Sequence, residues 1–215
     1  MREQTIAKIL EEKIIVIVRG VDREKLIPMA EAMYEGGIRL IEVTYDAKGN
    51  PTDEEIADRI GMLAKHFEGR MLVGAGTVLT EKQVELTQKA GGKFIISPDA
   101  APEVIKATRK AGLVSIPGCM TPSEMQQAHK DGADFIKVFP SEMFGPGYIK
   151  TLKAPLSHLN LLAVGGVSVE NIADYKAAGA AGFGMASNIL DRKAIAEENW
   201  QVITEKARKY VTLAK

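Results

Sequence analysis

Eight short apolar runs recur along this chain, each followed by a turn signal and then an amphipathic helical stretch, and this rhythm limits the fold more than any other feature. The runs are Ile14 to Arg19, Leu40 to Tyr45, Met71 to Val78, Phe94 to Ser97, Leu113 to Pro117, Phe135 to Phe139, Leu159 to Val164 and Ala181 to Ala186. They stand roughly 20 to 30 residues apart, the repeat of a βα unit. Their near-continuous apolar character suits parallel strands covered on both faces, not strands with one wet side. Thr52, Thr80 and Thr121 each precede a Glu or Gln by three residues, the pattern of a capping box, and Asp22 is a further N-cap candidate. Gly36-Gly37, Gly91-Gly92, Gly112, Gly132 and Gly179 stand where the helices end, and glycine takes the left-handed conformation there without a Cβ penalty. The pattern predicts an α/β protein: a single (β/α)8 TIM barrel over residues 1–215, with a short extra N-terminal helix (Thr5 to Glu12) plugging its lower mouth. A doubly wound open sheet is the competing architecture.

Composition narrows the function classes. Lys plus Arg and Asp plus Glu both number 28, and aromatic residues make up 6% of the chain, so no basic, aromatic-rich face for nucleic acid is expected. Cys119 is the single cysteine, which rules out an intramolecular disulfide and a multi-cysteine metal site. The first 13 residues, MREQTIAKILEEK, carry charge throughout, unlike a signal peptide, and no stretch reaches the ~18 apolar residues of a membrane span. A cytoplasmic protein without membrane or nucleic-acid partners is expected.

In a TIM barrel the chemistry lies at the C-terminal ends of the strands. Alternation in Phe135-Ile-Lys-Val-Phe139 turns Lys137 into the barrel, where desolvation disfavours its ammonium form and frees the amine to attack a carbonyl. The alternative is a lysine that snorkels to the barrel mouth or forms a structural ion pair. In Leu40-Ile-Glu-Val-Thr-Tyr45 the same logic turns Glu42 inward, as a proton carrier for an imine-forming lysine or as its salt-bridge partner. Arg19, ending the first run before Gly20, suits bidentate capture of a carboxylate, although arginine at a strand end is often merely a surface residue. Thr77, in Gly74-Ala-Gly-Thr-Val78, is a neutral donor where glycines let a ligand approach. Gly165-Gly166-Val-Ser168 and Gly184-Met-Ala-Ser187 follow the seventh and eighth strands, where barrels of this kind cup phosphate; a tight turn with Ser168 as a helix cap is the plainer account of the first. His66, His129 and His158 lie away from strand ends and from any acidic cluster, so no catalytic metal is expected. Cys119 suits packing better than nucleophilic attack, and the lysine-rich tail from Lys206 to Lys215 reads as a solvated helix face anchored by Trp200.

These residues also carry a resemblance. Ile41-Glu-Val-Thr44, Gly74-Ala-Gly-Thr-Val-Leu79, Ile96-Ser-Pro98, Ile116-Pro-Gly118, Phe135-Ile-Lys-Val-Phe-Pro140, Phe144-Gly-Pro-Gly-Tyr-Ile-Lys150 and Ala163-Val-Gly-Gly-Val-Ser168 together resemble the 2-keto-3-deoxy-6-phosphogluconate (KDPG) / 4-hydroxy-2-oxoglutarate (KHG) aldolases and their phosphogalactonate relatives. The resemblance runs nearly end to end. It implies a class I aldolase, a carbon–carbon lyase in which Lys137 forms the Schiff base and Glu42 moves protons. It matches Thr77 and the Pro98 loop to contacts with the substrate carboxylate, and Gly165, Gly166 and Ser187 to the phosphate cup. It further implies a homotrimer, no metal or other cofactor, and release of pyruvate with an aldehyde such as glyceraldehyde 3-phosphate. Two departures stand out. Many phosphogluconate members carry an arginine just after Glu-Val-Thr; here Tyr45-Asp-Ala-Lys48 follows, which leaves the carboxylate to Arg19, alone or with Lys48. The last loop reads Met-Ala-Ser where Gly-Ser is usual, so Ala186 restricts the backbone at the cup. A hydroxyglutarate-type aldolase, a sugar-phosphate epimerase or isomerase on the same fold, and a non-catalytic sugar-phosphate sensor are the alternatives.

Overall fold

The computed structural model describes all 215 residues. Its strands are β1 (Ile14–Val18), β2 (Leu40–Thr44), β3 (Leu72–Gly76), β4 (Phe94–Ile96), β5 (Val114–Ile116), β6 (Gly118–Cys119), β7 (Ile136–Val138), β8 (Leu161–Val164) and β9 (Gly182–Met185). Every pairing is parallel, in the order β5-β4-β3-β2-β1-β9-β8-β7-β6. The eight expected strands are present, and the fifth is broken in two. Pro117, which has no N–H to donate, separates β5, paired to β4, from β6, paired to β7. Its carbonyl still accepts from the Lys137 N–H at 2.8 Å, and Gly118 N–H reaches Asp99 O at 3.0 Å, so this one bent segment closes the barrel. The open-sheet alternative is thereby excluded.

Ten α-helices accompany the strands: α1 (Arg2–Glu12), α2 (Leu26–Glu35), α3 (Asp53–His66), α4 (Glu81–Lys89), α5 (Pro102–Lys110), α6 (Pro122–Asp131), α7 (Gly145–Lys153), α8 (Ile172–Ala177), α9 (Arg192–Ala196) and α10 (Trp200–Ala214). Thr52 and Thr121 form complete capping boxes with Glu55 and Glu124. Thr80 caps the Gln83 N–H, but the Gln83 side chain turns instead to Leu79 N–H and Asp53. Asp22 makes no side-chain cap; it precedes a 3-10 turn at Arg23–Lys25 instead. Gly37, Gly91, Gly112, Gly132 and Gly179 all have positive φ, as helix-ending glycines should. No helix is long and apolar enough to cross a membrane.

Two apolar layers result. Outside the barrel, the side chains of Ile136, Val138 and their equivalents pack under the helices in one cluster of 51 buried residues. Inside it, Ile9, Ile15, Leu40, Phe94, Ile96, Val114, Ile116, Phe135, Leu162 and Val164 form a second. Large and small residues alternate within that interior: a Cβ on Gly74 would lie 2.3 Å from the Phe94 ring, so the missing side chain on β3 is what admits the aromatic from β4. Ile9 belongs to α1, which therefore closes the barrel floor as expected, tied down by an ion pair between Arg2 and the nearly buried Asp134. At the other end of the chain, α10 packs on α2, where the Thr204 hydroxyl donates to Ala32 O at 3.0 Å and Ala207 lies against Gly36, and it buries Ile203, Tyr210 and Ala214 along the same helix. Trp200, expected to be the buried anchor, is only half-buried at the start of that helix, because the inward stripe begins one turn later.

Candidate active site

The expected site residues fall at the C-terminal end of the barrel. Glu42 is in β2 and Lys137 in β7; Arg19, Thr77, Pro98, Gly165, Gly166 and Ser187 stand one or two residues beyond β1, β3, β4, β8 and β9. Seven of the eight line a single cavity of about 260 Å³, together with Phe139, Gly184, Ala186 and Asn188. Pro98 is the exception. It is exposed and is not among the residues lining this cavity, and its backbone carbonyl lies 2.4 Å from the place a Cβ on Gly118 would occupy.

Glu42 and Lys137 define the bottom of the cavity. Glu42 is 2% exposed and Lys137 8%. Their charges influence each other, yet no ion pair joins them, which removes the structural salt bridge as the reason for either residue. Oε2 of Glu42 is the one buried side-chain polar atom in the chain without a hydrogen-bond partner. Burial pushes the Glu42 carboxyl up to about 7, against the pull of Lys137 and Arg19. Burial also lowers the Lys137 pKa, and Arg19 lowers it further, while Glu42 opposes the change. Nζ of Lys137 sits 4.5 Å from the centroid of the Phe139 ring, within cation–π range. Both shifts run in the direction that proton transfer and carbonyl attack require, toward a carboxyl that can hold a proton and an amine that can release one.

The cavity walls supply hydrogen-bond donors. Arg19 is pinned by two hydroxyls, with Nη2 donating to Thr77 Oγ1 at 2.9 Å and Nε to Thr44 Oγ1 at 3.4 Å. Thr77 has φ of 55°, unusual for a β-branched residue, so the backbone turns sharply where β3 meets the cavity. Tyr45, directly after Glu42-Val-Thr44, is buried, and its hydroxyl donates to Gln83 O and bonds Thr87 Oγ1. Lys48 lines a neighbouring cavity of about 480 Å³, which shares Arg19 and Thr77 with the first. Arg19 is therefore the cation common to both. On the far side, Gly165 and Gly166 have φ of 91° and 72°, a path that side-chain-bearing residues rarely follow. Ser187 is exposed beside them, after β9.

Three contributors were not legible in the chain. Phe139 sets its ring beside the lysine amine, Asn188 adds an amide to the wall, and Gly76 makes room for Glu42. The glycines around Thr77 suggested close ligand approach, whereas a Cβ on Gly76 would lie 2.3 Å from Glu42 Oε1. Cys119 is buried, and desolvation raises its thiol to about 12, which fits packing and not attack. No group of three or more His, Cys, Asp or Glu side chains is arranged to hold a metal ion.

Comparison with known proteins identifies the family. The pattern of the KDPG and KHG aldolases matches residues 5–206. A probable 2-dehydro-3-deoxy-6-phosphogalactonate aldolase from Rhizobium meliloti is 36% identical over 181 residues, 84% of this chain and 82% of that protein. A 2-dehydro-3-deoxy-phosphogluconate aldolase from Haemophilus influenzae is 28% identical over 99% of this chain and 98% of its own length. Among solved structures, native KDPGal superposes with a TM-score of 0.83 at 32% identity, covering 93% of each chain. A KDPG aldolase from Legionella pneumophila, captured with pyruvate as a covalent carbinolamine, superposes with a TM-score of 0.82 at 28% identity, covering 94% of this chain and 96% of that one. The chain belongs to the KDPG and KHG aldolase family, and is accordingly an aldolase and a carbon–carbon lyase.

Proposed function

We propose that the protein is a class I aldolase cleaving a 2-keto-3-deoxy-6-phospho sugar acid to pyruvate and glyceraldehyde 3-phosphate, with Lys137 as the imine lysine and Glu42 as the proton carrier. One observation carries this: a buried carboxyl oxygen with no partner, beside a buried lysine with which it forms no ion pair. The Lys137 amine adds to the C2 carbonyl, and loss of water from the carbinolamine gives a protonated imine. The Glu42 carboxylate takes the C4 hydroxyl proton as the C3–C4 bond breaks, and the bonding electrons flow into the imine to leave an enamine. The aldehyde departs, C3 is protonated, and water hydrolyses the imine to free pyruvate and the amine. Arg19, held by Thr77, receives the substrate carboxylate, while Gly165, Gly166 and Ser187 receive the phosphate. The Pro98 loop stands by resemblance at the carboxylate end. This chemistry calls on no cofactor. Family membership favours it over an epimerase, an isomerase or a sugar-phosphate sensor.

Borohydride reduction in the presence of pyruvate, followed by peptide mass spectrometry, tests the assignment. A single adduct on Lys137 is expected, absent from Lys137→Ala. An adduct on another lysine, or turnover surviving in Lys137→Ala, would overturn it.

A second reading has one observation in its favour. A Cβ on Gly166 would lie 2.5 Å from Glu142 Oε2, so a carboxylate stands against the phosphate cup, and Ala186 borders it. An unphosphorylated keto acid such as 4-hydroxy-2-oxoglutarate, shorter and with its second carboxylate directly on C4, would bring no phosphate dianion to that carboxylate. The apolar side chains of Phe139, Met143 and Phe144, exposed by 40%, 67% and 57%, lie close together in sequence at the rim of the site. They support self-association, which we take to be a homotrimer; a sedimentation mass of one chain would reject it. The lone thiol of Cys119 suits the reducing cytoplasm.

A further inference from the structure

β7, which carries Lys137, and β8, which leads into Gly165-Gly166, separate at the top of the barrel, and Ser141 sits at their point of separation. Val138 pairs with Ala163 in the last register of these two strands. Parallel pairing there turns the Val138 carbonyl toward the Val164 N–H. The Ser141 hydroxyl engages both groups, donating to Val138 O at 2.7 Å and accepting from Val164 N–H at 3.1 Å. Its own carbonyl accepts from the Tyr175 hydroxyl at 3.1 Å, and Tyr175 lies in α8, the helix that follows the Gly165-Gly166 loop. Ser141 and Tyr175 are both buried, at 3% and 1% exposure. One hydroxyl therefore ties the backbone beside the lysine to the backbone just before the double glycine, and the helix beyond that loop holds the same residue in place.

We propose that Ser141 is a positioning residue that sets the distance between the Lys137 amine and the Gly165-Gly166 loop, and so matches the site to the length of a keto acid carrying an anion at its far end. The proposal rests on the phosphate role given above to that loop. Both anchors of such a substrate are fixed to backbone, one through β7 and one through β8, so the hydroxyl bridge acts on their separation and not on either anchor alone. Alanine at this position leaves Val138 O and Val164 N–H to adjust toward each other, and the loop moves with Val164. A shift of under 1 Å between two such anchors is enough to misalign a substrate held at both ends. Pyruvate, held only at the lysine end, does not register the change.

Steady-state kinetics and pyruvate–borohydride trapping of Ser141→Ala and Tyr175→Phe test this. Ser141→Ala is expected to raise KM for the phosphorylated keto acid about tenfold with kcat within about threefold, and to trap pyruvate at the parental rate. Tyr175→Phe, which leaves the bridging hydroxyl in place and removes only its support, is expected to raise the same KM by a smaller factor. A KM unchanged in both variants overturns the proposal, as does slowed pyruvate trapping in Ser141→Ala, which would locate the effect at the lysine. A purely structural serine would lower the melting temperature and leave KM where it was. Should Ser141→Ala fail to fold, Tyr175→Phe decides by the same KM comparison. If the parent protein shows no preference for phosphorylated substrate, the phosphate role itself fails, a result distinct from a parental preference that neither variant disturbs.

Discussion

Gly76 and the carboxylate of Glu42 occupy space that only one of them could fill: a Cβ on the glycine would lie 2.3 Å from Oε1. Gly76→Ala should therefore move the carboxylate and spare the fold, since the displaced group is the flexible end of a side chain. A loss of about 10- to 100-fold in kcat is expected, within the usual worth of a positioned proton carrier. Full turnover in the alanine variant would mean that the position of Glu42 is unimportant.

Burial raises the Glu42 carboxyl from 4.5 to about 7, so the folded chain binds a proton more tightly there than the unfolded chain does. The stability this group contributes is complete below pH 4.5 and is lost as pH rises through 7. At about 1.4 kcal/mol per unit the burden above neutrality is on the order of 3 kcal/mol. Glu42→Gln should accordingly be more stable than the parent at pH 8, and the gain should vanish by about pH 5. Turnover should fall by roughly 10² to 10⁴, and kcat/KM of the parent should decline below about pH 7 as the base is protonated. Denaturant melts at the two pH values, read beside the rate, check both halves. A variant less stable at pH 8 with an unchanged rate would make Glu42 structural.

Thr77 carries φ of 55°, which costs a β-branched residue about 1–2 kcal/mol, and its hydroxyl holds Arg19 at 2.9 Å. Thr77→Gly should relieve the strain and free the arginine. Stability equal to the parent or higher by up to ~1 kcal/mol is expected, together with a several-fold rise in KM. A marked fall in melting temperature with KM unchanged would contradict this account.

Phosphate recognition is open to a direct comparison. Each charge-assisted hydrogen bond to phosphate contributes ~1.5–3 kcal/mol, so an unphosphorylated analogue should lose tenfold or more in kcat/KM. Ser187→Ala should raise KM for the phosphorylated substrate alone. Equal efficiency of the parent on both substrates would favour the hydroxyglutarate-type reading, in which no phosphate approaches Glu142 beside Gly166.

Alternation along Phe135 to Phe139 and Leu40 to Tyr45 is legible because a strand has only two faces, and one inward-facing charge in an apolar run declares itself. Capping boxes at Thr52 and Thr121 are equally local. What the chain does not display are relations across the barrel. The missing Cβ of Gly76 matters because of a carboxylate on the neighbouring strand, and Phe139 meets the Lys137 amine by the way its ring turns beyond β7. Pro98 follows a strand just as Thr77 does, yet it stays outside the cavity lining, and its backbone passes so close to β6 that only a glycine fits at Gly118. The break at Pro117 is visible as a proline, but its accommodation depends on β5 and β6 pairing to different neighbours. Trp200 has the size of an anchor, but the packing of α10 on α2 is decided one turn further on.

The closure of the barrel floor by Ile9 of α1 has a kinetic counterpart. Beneath Glu42 and Lys137 only about 10 Å³ remains, walled by Ile15, Ile96, Ile116 and Leu162, so no route leads to the two side chains from below. Substrate, product and hydrolytic water all share the upper mouth. If Lys137 carries the imine as proposed, an aldehyde fragment filling that mouth keeps water from the pyruvate bound to it. The traffic is therefore ordered: aldehyde leaves first, water enters second, and pyruvate departs last, so that in the reverse direction pyruvate is the substrate that must bind first.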